Sequence, residues 1–209
     1  MSPKPVDKEE KRKIILDAAL KVYKENGFSD SKVEDIAKKA NIGKGTVYEY
    51  FRSKEEIAVK LIENSFNSQI QILKKIKIKE DPPLESLKSF ISSLIEEVDL
   101  LSVIIPLHFE IWSGKKGKAM GLNKIMSERF EKLSFYFNRI LNEGKTKNIF
   151  RKDLNRRTFI SVVISSIDGI ILYNILYKPK KSHIQTQLNE LEKLLTYYLL
   201  PNKEENYEF

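Results

Sequence analysis

No cysteine occurs in these 209 residues, which excludes a disulfide framework, a thiolate metal site and a cysteine nucleophile. Histidine is almost as scarce, with only His108 and His183. His108 and Glu110 have the chemistry of a metal pair but no third ligand, so no metal is expected. There is also no G-x-S-x-G elbow and no phosphate loop. The chain is expected not to be an enzyme and to carry no cofactor. Residues 1–13 are polar and basic with no apolar stretch behind them, unlike a secretory leader. The longest apolar runs, Leu100–Leu107 and Phe159–Tyr177, are interrupted by Ser, Asp, Asn or Pro. Neither is expected to supply the roughly 20-residue apolar span of a membrane helix. The expectation is a cytoplasmic protein with no membrane partner.

What the chain does have is 41% hydrophobic residues, enough for a real core, and 32% charged residues for a soluble surface. A net charge of +8 and a pI near 9.3 favour an anionic partner, either nucleic acid or an acidic membrane surface. The positive excess is not concentrated in the first sixty residues, so charge alone locates no site. Helical periodicity begins at once. Ile14, Ile15, Ala18, Ala19, Val22 and Tyr23 fall on one face of a helix over 8–26, with Asp7 as its N-cap and Gly27 as its stop.

The stretch Ser31–Lys54 is the most informative. Ser31 and Glu34 predict a capping box, opening a helix over 32–40 that buries Val33, Ile36, Ala37 and Ala40. Asn41 stands at a sharp turn, where it tolerates a left-handed backbone, and Ile42 plugs that turn. A second short helix begins near Gly43–Lys44 and ends by Phe51, with Val47 and Phe51 inward. Lys44, Gly45, Thr46, Tyr48, Glu49 and Tyr50 then face outward or sideways. Gly45 lets another backbone approach closely. The helix start offers N–H groups and a partial positive charge to a phosphate. Thr46 suits a base edge or a thymine methyl in a major groove. The hydroxyls of Tyr48 and Tyr50 suit phosphate oxygens, and Lys54 adds a charge just beyond. Each residue singly has an ordinary structural use; the combination at this spacing points to a DNA-binding helix-turn-helix.

From Phe28 to Ile57 the chain resembles the signature region of the tetracycline-repressor (TetR) family of bacterial transcription regulators. The run I-A-K-K-A-N-I-G-K-G-T-V-Y-E-Y-F-R-S-K-E-E-I follows the family's I-A-x-x-A-G-V-S-K-G-T-x-Y-x-Y-F-x-S-K-E-x-L. The similarity covers about residues 10–60. It departs at Asn41, where the family has glycine, and at Gly43, where it has Ser or Ala. The resemblance implies an all-α fold: a three-helix helix-turn-helix domain over 1–53 and a larger helical effector-binding and dimerisation domain over 54–209. By position it implies phosphate contacts from Ser31, Tyr48, Tyr50 and Lys54, and groove contacts from Lys44, Gly45 and Thr46.

Beyond Ser53, which caps the next helix, periodicity predicts helices over 54–79, 84–101, 121–142, 155–177 and 182–200. The Asp81-Pro82-Pro83 break falls after the first of these, Leu94, Ile95 and Val98 are among the apolar positions of the second, and Pro106 opens a short segment over 107–112. A Lys/Gly-rich loop over 114–121 and a polar loop over 143–153 separate the later helices, Pro179 ends the helix over 155–177, and residues 201–209 are a polar tail. The helix over 155–177 is apolar nearly all round, and Ile184, Leu188, Leu191, Leu195 and Tyr198 form a coiled-coil-like seam. Two such helices predict a four-helix interface across a two-fold axis, with Phe159, Val163, Ile167, Gly169, Ile170, Leu188, Leu191 and Leu195 at it. The alternative is that both simply finish the core of a single chain.

The function expected is a ligand-responsive transcriptional regulator, most simply a repressor, binding a palindromic double-stranded DNA operator as a homodimer. The resemblance implies a small-molecule effector in the C-terminal body whose binding releases the DNA. Phe66, Ile104, His108, Trp112, Phe130 and Phe137 are the candidate lining residues, and their character favours an apolar effector. Against this stand an enzyme, for which no motif is present, and a membrane-surface or partner-binding module using the basic charge.

Overall fold

Nine α-helices and no strand are found among the described residues of this computed structural model, which are 8–96, 98–113, 121–177 and 182–201. Side chains at 93–98 and 182 lie outside the description too. The expected N-cap Asp7, the loop over 114–120, the stop at Pro179, the tail over 202–209 and the apolar positions Leu94, Ile95 and Val98 therefore fall outside it. The helices are α1 Lys8–Asp30, α2 Val33–Lys39, α3 Lys44–Tyr50, α4 Lys54–Lys75, α5 Pro83–Glu96, α6 Val98–Ser113, α7 Leu122–Thr146, α8 Arg156–Tyr177 and α9 Ser182–Leu199. They form two compact units: Met1–Asn67 with Leu100–Ser127, and Ser68–Asp99 with Glu128–Phe209.

In the first unit, α1 packs on α2 and α2 on α3. Ile15, Leu16, Ala18, Ala19, Val22 and Tyr23 are the buried residues of α1, so Leu16 takes the place expected for Ile14, which is exposed. Gly27 breaks the helix at φ 75°, a left-handed value that glycine adopts without cost, and Phe28–Asp30 continue as a further turn. Ile36, Val47, Phe51, Ile57, Ile62, Ile104 and Leu107 join them in one continuous core.

In α6, Pro106 sits inside the helix instead of opening a segment. Proline there removes one backbone donor, and the buried side chains of Leu101, Val103, Ile104, Leu107 and Ile111 outweigh the loss. Helix α4 stops at Lys75, a turn earlier than expected. Its end is tied by backbone bonds from Ile76 to Leu73 and from Ile78 to Ile76, and Ile78 tucks inward.

In the second unit, α9 packs on α5 and on α8. Phe90 and Phe137 meet edge to face with centroids 4.8 Å apart. Helix α7 runs past Asn142 to Thr146, shortening the expected loop. There the ring of Phe150 lies directly over Gly144, on ground that any Cβ would occupy. Asn155 caps α8, its Oδ1 accepting from the Thr158 backbone at 3.2 Å. By length and composition α8 could cross a membrane, contrary to expectation, because its few polar residues barely lower a mean hydropathy of 1.9. Its side chains at Phe159, Ile160, Val163, Ile164, Ile167 and Ile171 are instead buried within this unit.

Candidate nucleic-acid interface

The turn between α2 and α3 is built as the backbone rules require. Asn41 has φ 53°, and the N–H groups of Asn41 and Ile42 return to the carbonyls of Lys38 and Ala37 at 3.2 and 3.0 Å. This closes the last turn of α2 in a Schellman arrangement, and Ile42 packs against the core. At the other end of α2 the expected cap is replaced. Lys32 is the N-cap, and Asp35 Oδ2 accepts from its backbone N–H at 2.9 Å. Ser31 is buried and its Oγ donates to the Gly27 carbonyl, while Glu34 turns outward to Lys44. An acidic residue three positions on from Lys32 serves better than the one at 34 because the helix starts one residue later.

Helix α3 is anchored by Val47 and Phe51, both essentially inaccessible, and Tyr50 packs half-buried against the same core. Lys44, Gly45, Tyr48 and Glu49 are exposed, and Thr46 is half-buried beside them. Among the described residues, nothing beyond its chain neighbours and its own helix backbone lies within 4 Å of where a Gly45 Cβ would stand. Lys44 Nζ pairs with Glu34 and lies 5.8 Å from the Tyr48 ring centroid.

Ser31 and Lys54, expected at phosphates, are placed differently. Lys54 Nζ donates to the carbonyls of Phe28, Ser29 and Ser31 at 2.8, 2.9 and 2.9 Å and sits 4.6 Å from the Phe28 ring centroid. In return, the hydroxyl of Tyr23 donates to the Lys54 carbonyl at 2.8 Å. Burial, seconded by the Glu55 charge, pushes the Tyr23 phenol far above its ordinary range, so it remains a donor. The start of α4 and the end of α1 thus clasp one another and set the position from which α2 begins. Ser53 Oγ accepts from the Glu56 backbone at 3.2 Å, and Glu56 accepts from the Arg52 backbone at 2.6 Å, fixing the exit from α3. Arg12 adds a cation–π contact to Phe51, with 5.5 Å from guanidinium to centroid. The Ser53 cap was expected from the sequence; the Lys54, Tyr23 and Arg12 contacts were not, because each joins residues more than twenty positions apart.

The sequence profile of bacterial regulatory proteins of the tetR family matches residues 15–61. The HTH-type transcriptional regulator YdgC of Bacillus subtilis is 31% identical over 136 residues, 61% of this chain and 69% of that protein. This chain belongs to the TetR family. The fatty acid metabolism regulator protein of B. subtilis is 26% identical over 193 residues, covering 87% of this chain and 92% of its own. The crystal structure of the transcriptional regulator FadR from B. subtilis in complex with stearoyl-CoA superposes with a TM-score of 0.70. It is 25% identical and covers 90% of this chain and 98% of that one. As in those TetR-family regulators, the fold is all-α with an N-terminal helix-turn-helix, here α2, the turn at Asn41 and α3.

The candidate effector residues belong to both units. Phe66 and Ile104 lie in the core of the first unit, His108 is half-buried, and Trp112 is exposed. Glu110, two residues beyond His108, accepts a hydrogen bond from Ser29 Oγ at 3.0 Å. In the second unit Phe137 is buried, whereas Phe130 is partly exposed and lines a surface cavity of about 700 Å³ with Ser134, Asn138, Arg156 and Arg157. The same unit buries Arg129, which holds Asp168 through both terminal nitrogens at 3.1 and 2.9 Å and Gln69 through Nε at 3.3 Å.

The residues expected at a two-fold interface divide. Phe159, Val163, Ile167, Leu188 and Leu195 are buried within the single chain, each 8% exposed or less. Gly169 is exposed with open space around it, and Ile170 and Leu191 are half-buried. The exposed large apolar and aromatic side chains of α8 and α9 are Val162, Tyr173, Leu176, Tyr177, Leu194, Tyr197 and Tyr198. A period of 3.6 places two opposite faces on a helix that is apolar all round, and the sequence alone does not say which face the chain keeps.

Proposed function

We propose that this regulator binds a palindromic operator as a homodimer in the cytoplasm, represses from it, and is released by an apolar effector of the long-chain acyl-thioester class. The observation that carries the DNA half is the outer face of α3. Lys44, Gly45, Thr46 and Tyr48 stand together on a helix anchored by Val47 and Phe51, and Gly45 has no internal packing reason to be glycine. A glycine within a helix costs about 0.5–1 kcal/mol relative to alanine, so its use here favours an external backbone that must come close. Tyr48 and Tyr50 present hydroxyls to flanking phosphates, while Ser31 and Lys54 hold the motif from behind.

The similarity to the stearoyl-CoA-bound FadR supports the effector class. An effector must prefer the DNA-free state, since equal affinity for both states shifts nothing. The exposed apolar side chains of α8 and α9 support the dimer, whose recognition helices must stand about 34–36 Å apart to reach successive major grooves. Fluorescence anisotropy with duplexes from the chain's own upstream DNA tests the whole reading. Expected is tight binding to that DNA, at least a hundredfold weaker binding to a scrambled duplex, and release on adding stearoyl-CoA at micromolar concentration. Equal affinity for both duplexes would refute operator binding; retained DNA in stearoyl-CoA would refute the effector class.

A further inference from the structure

Glu34 is an unexpected residue on a surface that meets DNA. Phosphate oxygens repel a carboxylate, and the hydrogen-bond donors that a duplex offers in its major groove are cytosine N4 and adenine N6. Glu34 nevertheless stands exposed near the start of α2, and its Oε1 accepts a hydrogen bond from Nζ of Lys44, the first residue of α3. Both side chains keep about half their surface in solvent, so the ion pair has an open side. Each holds the other charged. The hydrogen bond from Lys44 lowers the Glu34 pKa, and the same bond raises that of Lys44.

The pair therefore offers a donor and an acceptor side by side. A G·C base pair carries their complement in the major groove: guanine O6 and N7 accept, and cytosine N4 beside O6 donates. An A·T pair matches less well: its donor, adenine N6, lies between its two acceptors, N7 and O4, so one ammonium cannot bridge both, whereas guanine N7 and O6 are neighbours with the donor at one end. We infer that Glu34 and Lys44 act as one unit reading a G·C pair in each operator half-site, with Lys44 on guanine O6 and N7 and Glu34 on cytosine N4. The inference rests on the reading of α3 as the recognition helix given above. It makes Glu34 a specificity-determining residue, where charge alone would count it as a penalty.

The test is selection from a randomised double-stranded DNA library with wild type, Glu34→Gln and Lys44→Gln, followed by anisotropy on the selected duplex and its single-pair variants. Wild type should select one G·C pair per half-site whose replacement by A·T weakens binding roughly 5- to 150-fold. Glu34→Gln should erase that difference or move it towards adenine, which glutamine reads, and leave the other positions unchanged. Lys44→Gln should lose discrimination at the same pair. If Glu34→Gln tightens binding to every duplex alike and keeps the wild-type base preference, Glu34 merely shields Lys44 and the inference is overturned. A selected site with no G·C pair dependent on residue 34 overturns it too, with operator binding intact. Selection of no site by wild type overturns both readings. Both substitutions are of exposed side chains, and an unchanged circular dichroism spectrum separates loss of reading from loss of fold.

Discussion

At the scale of single residues, the glycine at 45 and the lysine at 54 have opposite assignments. Gly45→Ala removes a flexible position from a short helix into open space, so the folded protein should gain about 0.5–1 kcal/mol. The same methyl group should weaken DNA binding, and a denaturation curve beside an anisotropy titration reads both effects. Stabilisation with unchanged DNA affinity would mean that no backbone approaches there. Lys54→Met should cost about 2 kcal/mol in chemical denaturation, because three carbonyls lose a charged donor and part of that loss is made good by water. Asn41 was legible in advance, since its left-handed backbone follows from residue type. Asn41→Gly should leave stability nearly unchanged, whereas Asn41→Val should cost about 1–2 kcal/mol. The capping pair was legible only in kind. A cap was expected from Ser31 and Glu34; the helix starts one residue later, so Lys32 and Asp35 form it, while Ser31 turns to Gly27 and Glu34 to Lys44.

At the scale of elements, the helices were readable because apolar period and breakers agree, and the misreadings occur where they disagree. Pro106 looks like a boundary, yet five buried apolar residues around it keep α6 continuous. The loop after Asn142 looks polar throughout, yet Phe150 turns back onto Gly144 and lets α7 run another turn. That packing makes a sharp prediction. Gly144→Ala would place a Cβ within 2.0 Å of the Phe150 ring, and the variant should lose roughly 1–3 kcal/mol in thermal or urea unfolding. A variant as stable as wild type would show that the ring moves aside freely. The Ser29–Glu110 hydrogen bond joins α6 to the turn that precedes the helix-turn-helix, a link between residues eighty-one apart that no local pattern could reveal.

At the scale of the whole molecule, sequence reading reached the family and its architecture, while five of the eight residues it expected at the two-fold interface are ones the chain buries for itself. Gly169, Ile170 and Leu191 keep accessible surface. Substitutions at Leu194 and Tyr197, both well exposed, therefore test assembly without disturbing the core. The double variant Leu194→Glu, Tyr197→Glu should sediment at half the mass of wild type with unchanged helix content. A persistent dimer would place the interface elsewhere. Net charge acts at this scale as well. With +8 spread over the chain, non-specific DNA binding should weaken steeply with salt, while the specific component should survive at moderate ionic strength.

The lysine clasp at the start of α4 also has a chemical signature. An ammonium that gives its three protons to three carbonyls presents no lone pair to an acylating reagent. Lys54 should therefore be among the slowest lysines to label with an amine-reactive ester, whether DNA is present or not. Lys44, exposed on the outer face, should label in the free protein at a rate slowed by its bond to Glu34, and fall silent on the operator. The contrast between those two amines in one peptide map would report, from covalent chemistry alone, which cation faces inward and which faces the helix it reads.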